Sequence, residues 1–158
     1  MRDECVYYAY VEAITQQHYP RVDNMAYVDA DRKKKIAPGV KQVLKANGLR
    51  GTLSVKDRMV LVLTIQSGWL DFIGNFNDTC QQSLAPDDRF TPAVDYIQVN
   101  EYFIDRSFSG EAARVLNELK AAMSVGNWNK SDIMTDYFNV GWYININIGK
   151  YDKPYMVK

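Results

Sequence analysis

Apolar residues in the first third of the chain recur with a helical period. The spacing predicts a short amphipathic helix over residues 4–17. A second helix is predicted over residues 29–47, where an apolar face opposes a stripe of lysines and Asn47-Gly48 provides a C-terminal stop. Pro38 lies inside this pattern, so that the helix is either kinked there or begins there. The apolar face comprises Ile36, Val40, Val43 and Leu44.

The period of the apolar residues then changes to two, which is typical of strands with one buried face. Residues 51–55 and 59–66 are predicted strands, joined by a hairpin turn at Lys56-Asp57-Arg58. The polar stretch from Asn75 to Pro92 predicts the longest loop. A third strand is predicted over residues 96–102, with Ile97 and Val99 facing inward.

The C-terminal third returns to helical spacing and ends in a strand. Ser109 is the predicted N-cap of a helix through Met123, and a short helix is predicted over residues 132–138. In the last strand, over residues 141–149, alternate positions differ in kind. The predicted buried face carries Trp142, Ile144, Ile146 and Ile148, and the opposite face carries Tyr143, Asn145 and Asn147.

This order of elements predicts an α+β fold, with an antiparallel sheet of about four strands and helices packed on one face. Residues 1–24 are predicted to form an N-terminal helical extension, and residues 25–158 a single α+β domain. The length of 158 residues suits one domain with its own core. A hydrophobic share of 47% and a charged share of 24% are also typical of globular domains.

The charge balance limits the classes of partner. Nineteen lysine and arginine residues balance nineteen aspartate and glutamate residues, which gives a net charge of zero. Polybasic nucleic-acid binders and acidic DNA mimics both act through a large field of one sign, so neither class fits the whole chain. Local patches remain compatible with this balance. Low self-repulsion also favours homo-oligomers.

The chain is predicted to lie in a reducing cytoplasm. Cys5 and Cys80 have no metal-binding spacing, and two free thiols are favoured over one disulfide. No apolar run approaches the length that spans a bilayer, and the first residues lack the apolar core of a signal peptide. No membrane partner is therefore expected.

Few residues indicate catalysis. His18 is the single histidine, so that a zinc site with two histidines cannot form within one chain. Phosphate-binding and nucleophile motifs are missing from the sequence, and we assign no catalytic residue and no cofactor. Asp132 and Asp136 share a predicted helix face and are weak candidates for a Mg²⁺ site. The simpler interpretation is that Asp132 favours the helix N-terminus and that Asp136 is solvated.

Two groups of residues are candidates for binding. Basic side chains of the predicted hairpin, Arg50, Lys56 and Arg58, suit phosphate oxygens. Tyrosine and amide side chains on the strand faces turned away from the core suit either nucleobases or a protein interface. The alternative is that this face is simply hydrated. The second group comprises Gln98, Asn100, Tyr102, Tyr143, Asn145 and Asn147.

Seven stretches of the chain carry a resemblance to a known group of proteins. They are Met25–Val28, Lys33–Lys41, Gly51–Met59, Ile65–Gly68, Tyr96–Asn100, Ser131–Phe138 and the segment formed by Ile148–Lys150 and Lys153–Tyr155. With these stretches, residues 25–158 resemble small uncharacterised accessory proteins of tailed bacteriophages. They are also similar to a domain found in large polyvalent proteins of mobile elements.

The resemblance implies a context and assigns no residue a role. It implies a phage accessory protein in the cytoplasm of an infected bacterial host. Such proteins often bind and inhibit or redirect a host macromolecule, and an anti-defence factor acting on a host protein or nucleoprotein complex is the first expectation. Direct binding of nucleic acid is the second, and an enzyme that depends on carboxylates and a metal is the third.

Overall fold

The computed structural model describes residues 25–85, 88–132, 134 and 139–158, and its fold is α+β. The helices are α1 (Ala30–Ala46), α2 (Phe72–Gln82), α3 (Ile104–Ser107) and α4 (Gly110–Met123). The strands are β1 (Leu49–Lys56), β2 (Val60–Gly68), β3 (Ile97–Val99), β4 (Tyr143–Ile148) and β5 (Met156–Val157). The predicted fold class is confirmed.

The sheet is mixed, and the prediction of a purely antiparallel sheet is wrong. Its strand order is β1-β2-β4-β3, with antiparallel pairs at both ends and a parallel pair, β2 and β4, in the centre. β5 pairs with the last two residues of β2. Between β2 and β4 the described residues form three helices and β3, and a crossover of that length brings the chain back to run in the same direction.

The hairpin between β1 and β2 turns one residue later than predicted. Lys56 still pairs with Val60, and the turn is formed by Asp57, Arg58 and Met59. Asp57 and Arg58 both have positive φ, at 52° and 54°, which is the conformation that matches the twist of hairpin strands. The carbonyl oxygen of Arg58 accepts a hydrogen bond from the backbone N–H of Val28 at 2.8 Å, which ties the turn to the start of α1.

Helix α1 forms where the apolar period predicts it. The Asp29 side chain caps it by accepting a hydrogen bond from the N–H of Arg32 at 2.8 Å. The helix continues through Pro38, so that the alternative of a start at this proline is wrong. It ends at Asn47, which is followed by Gly48 in the left-handed conformation.

Helices α1 and α4 pack against each other, α1 also against β1 and α4 against β4. In α4, Ser109 occupies the predicted N-cap position without making a capping hydrogen bond. Its hydroxyl accepts instead from Asn75 Nδ2 at 3.1 Å and Thr79 Oγ1 at 3.2 Å. The two helices and the sheet enclose one hydrophobic core, whose fully buried members include Leu61, Leu63, Ile65, Val115, Leu116, Leu119, Met123, Ile146 and Ile148.

Helix α2 lies where a loop was predicted, and residues 75–82 of that prediction are wrong. Asp71 caps α2 by accepting from the N–H of Gly74 at 2.9 Å. Phe72 is buried against Phe108 and Tyr155. The polar residues that suggested a loop hold distant segments in place. Thus the Asn77 side chain donates to and accepts from the backbone of Ala93, both at 2.9 Å.

Several other predictions agree with the structure only in part or concern residues outside the described ranges. The third strand is shorter than predicted, because the chain turns at residues 100–102. The predicted helix 4–17, and with it the extension 1–24, lies outside the described residues, as does most of the short helix 132–138. Cys80 is a free, half-buried thiol, while Cys5 is not described. Across the part of the chain that the structure describes, none of the helices is long and apolar enough to cross a membrane.

Candidate recognition surface

Alternation along β4 gives the sheet two different faces. Trp142, Ile146 and Ile148 are buried, whereas Tyr143 is 41% exposed. Asn145 and Asn147 are half-buried on the same side as Tyr143. The predicted division of this strand into a core side and an opposite side is therefore confirmed, and we call the side with Tyr143 the outer face.

A row of hydroxyl and amide side chains crosses the outer face. The strand register aligns Thr52 with Thr64, Thr64 with Asn147, and Asn147 with Gln98. At the usual spacing of strands, the row is about 14 Å long. The Oδ1 atom of Asn147 is buried and accepts no hydrogen bond from the described residues. Thr52 and Gln98, at the two ends of the row, expose groups that both donate and accept hydrogen bonds, whereas Thr64 in its centre is buried.

The charged side chains of the sheet are all positive. None of the five strands contains aspartate or glutamate, while β1 contributes Arg50 and Lys56. Lys56 is aligned with Val60, and Val60 with Tyr143, so that a cation and a tyrosine lie two strands apart on the outer face. A face of this composition favours ligands that are neutral or negatively charged.

A cleft of about 290 Å³ opens beside the N-terminal half of β4. It lies there because β3 pairs only with residues 146–148 of β4, so that Ile144, which pairs with Leu61 of β2, has no described strand on its other side. Tyr102 is 71% exposed and lines the cleft together with Tyr143. We call it the aromatic cleft, and its main lining residues are Glu101, Tyr102, Lys120, Trp128, Tyr143 and Ile144.

Lys120 links the two sides of the aromatic cleft. Its Nζ donates a hydrogen bond to the carbonyl oxygen of Glu101 at 2.7 Å and lies 5.5 Å from the ring centroid of Tyr102. Burial raises the pKa of the Glu101 carboxyl, and the charge of Lys120 opposes the shift. Burial, and then the charge of Glu101, raise the pKa of Tyr102, whose hydroxyl therefore stays neutral at pH 7.

The wall of the aromatic cleft is held by Asn127. Its Oδ1 accepts from the N–H groups of Trp128 and Trp142, both at 3.0 Å, and its Nδ2 donates to the carbonyl oxygen of Trp142 at 2.9 Å. The two indoles meet edge to face at 6.5 Å between centroids. The guanidinium of Arg32 lies over both rings, 5.2 Å from Trp142 and 5.8 Å from Trp128. The wall is thus built before any ligand arrives.

The raised pKa of Glu101 predicts how stability depends on pH. The folded state binds the proton of the Glu101 carboxyl more tightly than the unfolded state does, so protonation of Glu101 stabilises the fold. This stabilisation is complete below the ordinary pKa of 4.5 and is lost as the pH rises through the pKa of the folded state. Glu101→Gln is expected to be more stable than wild type at pH 7, and this gain should shrink as pH falls below 4.5. Thermal unfolding followed by circular dichroism between pH 3 and pH 8 measures it.

Glu111 provides the matched control for this prediction. Its carboxylate binds Arg114 at 2.7 Å, and this hydrogen bond lowers the pKa of Glu111. Glu111→Gln should therefore be no more stable than wild type at pH 7. A neutral or negative effect of Glu101→Gln at pH 7 would contradict the assignment of a burial penalty to Glu101.

Of the predicted binding residues, Gln98, Tyr102, Tyr143, Asn145 and Asn147 lie on the outer face or at its cleft. Asn100 lies elsewhere. Its Oδ1 accepts from the N–H of Tyr102 at 3.1 Å, and the residue lines a separate cleft of about 640 Å³ next to Phe103 and Arg106. Asn100 therefore shapes the turn that presents Tyr102.

The three predicted basic residues do not form one cluster. Lys56 and Arg58 lie at the hairpin end, whereas Arg50 lies at the opposite end of β1. Arg50 and Lys56 are six positions apart along an extended chain, which corresponds to about 20 Å. All three lie on the predicted hairpin, Lys56 and Arg58 at its turn and Arg50 at its other end.

The carboxylates do not converge on a metal site within the described residues. No group of three His, Cys, Asp or Glu side chains in that part of the chain is placed to hold a metal ion. The Oδ1 of Asp132 accepts from the N–H of Met134 at 2.9 Å, and Asp136 is not described. Other acidic side chains serve local structure, since Asp71 caps α2 and Asp105 accepts from Asn117 Nδ2 at 2.8 Å.

Sequence patterns predicted neither the role of Lys120 nor the position of Ile144 at the cleft. Lys120 has the spacing of an exposed residue on α4, and no local signal connects it to Tyr102, eighteen positions earlier. Ile144 matches the apolar alternation of β4, and only the short length of β3 exposes its edge.

Comparison with known proteins returns no relative. No protein-family model, curated protein or solved structure matches this chain. The aromatic cleft supplies stacking surfaces, and the outer face supplies amide and hydroxyl groups for hydrogen bonds.

Proposed function

We propose that this chain is a non-catalytic binding protein, made by a tailed bacteriophage, that inhibits or redirects a host macromolecule and serves as an anti-defence factor. The observation that carries the binding role is the meeting of Tyr102 and Tyr143 at one edge of an amide-rich sheet face. The resemblance of residues 25–158 to phage accessory proteins supports the host context.

The two tyrosines have the properties of interface residues. Tyr102 and Tyr143 expose 71% and 41% of their surface, so that neither is needed to fill the core. Tyrosine loses little conformational entropy on binding and combines a large apolar ring with a hydrogen-bonding hydroxyl. Gln98, Asn145 and Asn147 extend the same surface with groups that pair with backbone amides or polar side chains of a protein partner.

Capture of host components with the tagged chain tests this function. Tyr143→Ala and Tyr102→Ala are each expected to weaken capture of the same partner by about tenfold or more, since interface tyrosines are often hot spots. Nuclease-treated lysate of a susceptible bacterium is used, and the captured partner is then purified for titration against each variant. A purified variant that binds as tightly as wild type would remove the tyrosine from the proposed interface.

Tyr151→Ala is the matched control. Tyr151 is 85% exposed and lies beyond the C-terminal end of β4, whereas Tyr143 begins that strand. At about 3.3 Å per residue the two positions are roughly 20 Å apart. Equal losses from Tyr151→Ala and Tyr143→Ala would indicate non-specific adhesion through exposed aromatic rings, and the proposal would fail.

Direct binding of nucleic acid is the second candidate, favoured by the absence of carboxylates from all five strands. Affinity for a single-stranded oligonucleotide is then expected to fall steeply with salt. Lys56→Ala and Arg58→Ala should each reduce the salt slope by about one, whereas Arg89→Ala, in the loop after α2, should leave it unchanged. An affinity that does not depend on salt excludes this candidate.

A further inference from the structure

The strand β1 forms an open edge of the sheet. It stands first in the strand order, and it pairs with β2 alone among the described residues. Leu53 and Val55 point towards the core and yet are only partly buried, whereas Leu61 and Leu63 on β2 are fully buried. The partial exposure of these inward side chains shows that little described structure covers this edge.

The hydrogen bonds of the sheet show which backbone groups of β1 face the open edge. The N–H of Tyr143 donates to Met59 and that of Gly149 to Ile65, so the odd-numbered residues of β2 face β4. Its even-numbered residues therefore face β1, where they pair with Thr52, Ser54 and Lys56. By alternation, the odd-numbered residues of β1 direct their N–H and C=O groups away from the sheet. These residues include Gly51, Leu53 and Val55, and none of the described residues forms a hydrogen bond with them.

Charge is concentrated around this edge. Residues 29–58 contain nine lysine or arginine residues and three aspartates, a formal charge of +6, and the remainder of the chain carries −6. This segment comprises α1, which packs against β1, together with β1 and the hairpin turn. Arg50 and Lys56 lie near the two ends of β1 on the outer face. A neutral protein thus has a basic flank at its open edge.

We propose that the open edge of β1 binds an extended, acidic segment of a partner protein as an added strand. An extended peptide satisfies both the N–H and the C=O groups that β1 directs outward. Phosphate oxygens only accept hydrogen bonds, so contacts with a phosphate backbone would leave these carbonyl groups unpaired. A second copy of the chain would bring two segments of charge +6 together, and that repulsion disfavours pairing of β1 with itself.

This edge is independent of the aromatic cleft. The cleft lies beside β4, and β2 separates β4 from β1. Loss of binding at the cleft therefore leaves the edge intact, and the reverse also holds. Tyr143→Ala should not change binding at the edge, so that failure of the proposed function and failure of this inference are distinguishable.

Synthetic peptides test the inference with the full chain. The probe is an eight-residue peptide of alternating glutamate and valine, matched in length to β1, and its binding is followed by fluorescence anisotropy. An equivalent peptide with an N-methyl group on every internal residue keeps the charge and loses the backbone donors. It is expected to bind at least about tenfold more weakly, since several backbone hydrogen bonds are lost. A peptide of alternating lysine and valine should not bind.

Charge reversal on β1 provides a second test of the inference. Arg50→Glu with Lys56→Glu should weaken binding of the glutamate peptide by about tenfold or more, whereas Tyr143→Ala should leave it unchanged. Both side chains are exposed, and circular dichroism verifies that the double variant is folded. The peptide comparison requires no variant at all.

Three results would overturn the inference. Equal binding of the N-methylated peptide would show that charge alone attracts it. Complete displacement of the peptide by an oligonucleotide at equal charge concentration would assign the basic flank to nucleic acid. Sedimentation equilibrium shows whether the chain forms a dimer. If it does, and if Arg50→Glu with Lys56→Glu makes that dimer more stable, the edge is assigned to a second copy of the chain.

Discussion

Gly149→Ala is expected to destabilise the fold by about 3 kcal/mol, the combined effect of a positive φ and of overpacking. Gly149 has a φ of 69°, and an added Cβ would lie 2.6 Å from the backbone nitrogen of Tyr155 and 2.8 Å from the carbonyl oxygen of Asp95. Both neighbours are backbone atoms, which cannot rotate away as a side chain would. The residue also ends β4 by donating its N–H to Ile65 at 2.8 Å, so strain there reaches the central strands.

Gly39→Ala is the matched substitution with the opposite expected sign. Nothing lies within 4 Å of the position that its Cβ would occupy, and the residue is inside α1. Alanine in a helix interior is favoured over glycine by roughly 0.5–1 kcal/mol. Urea unfolding of the two variants and of wild type measures both effects. Equal effects at the two positions would show that close approach at Gly149 does not determine stability.

The elements that local pattern predicted are those whose signals lie within the element. Helix α1 begins after an aspartate cap and ends before Gly48, and its buried face follows the apolar period. The hairpin of β1 and β2 pairs neighbouring residues, so that its register depends on the turn between them. Such information is available within a window of about ten to twenty residues.

The parts that pattern missed depend on distant residues. Asn77 lies on α2 and bonds to Ala93, and a polar residue in such a role is indistinguishable by sequence from one in a loop. The parallel pairing of β2 with β4 likewise depends on where the crossover returns, and no residue of either strand encodes it.

The candidate surface likewise has one part that local pattern predicted and one part that depends on distant residues. Alternation placed Tyr143, Asn145 and Asn147 on the face opposite the core, because a period of two is a local property. The aromatic cleft brings together Tyr102, Lys120 and Tyr143, which are separated by about twenty positions each. They come together because β3 ends at Val99 and because α4 packs against β4.

Trp142→Ala is expected to destabilise the fold by about 4 kcal/mol, within the range for removing a large aromatic side chain from a core. Trp142 is 2% exposed, and its Nε1 donates to the carbonyl oxygen of Met123 at 3.1 Å. The substitution also removes the edge-to-face contact with Trp128 and the cation–π contact with Arg32. The aromatic cleft should be disrupted as well, since its wall is built on these two indoles.

Trp69→Ala is the control that separates burial from residue type. Trp69 is 54% exposed, and its Nε1 donates to the carbonyl oxygen of Asn47 at 2.9 Å. Its loss should cost about 1 kcal/mol, the net value of one exposed hydrogen bond with some packing. Chemical unfolding followed by far-ultraviolet circular dichroism compares the two variants, because both remove a fluorophore. If the two free energies of unfolding differ by less than about 1 kcal/mol, Trp142 is not the centre of the packing between α4 and β4.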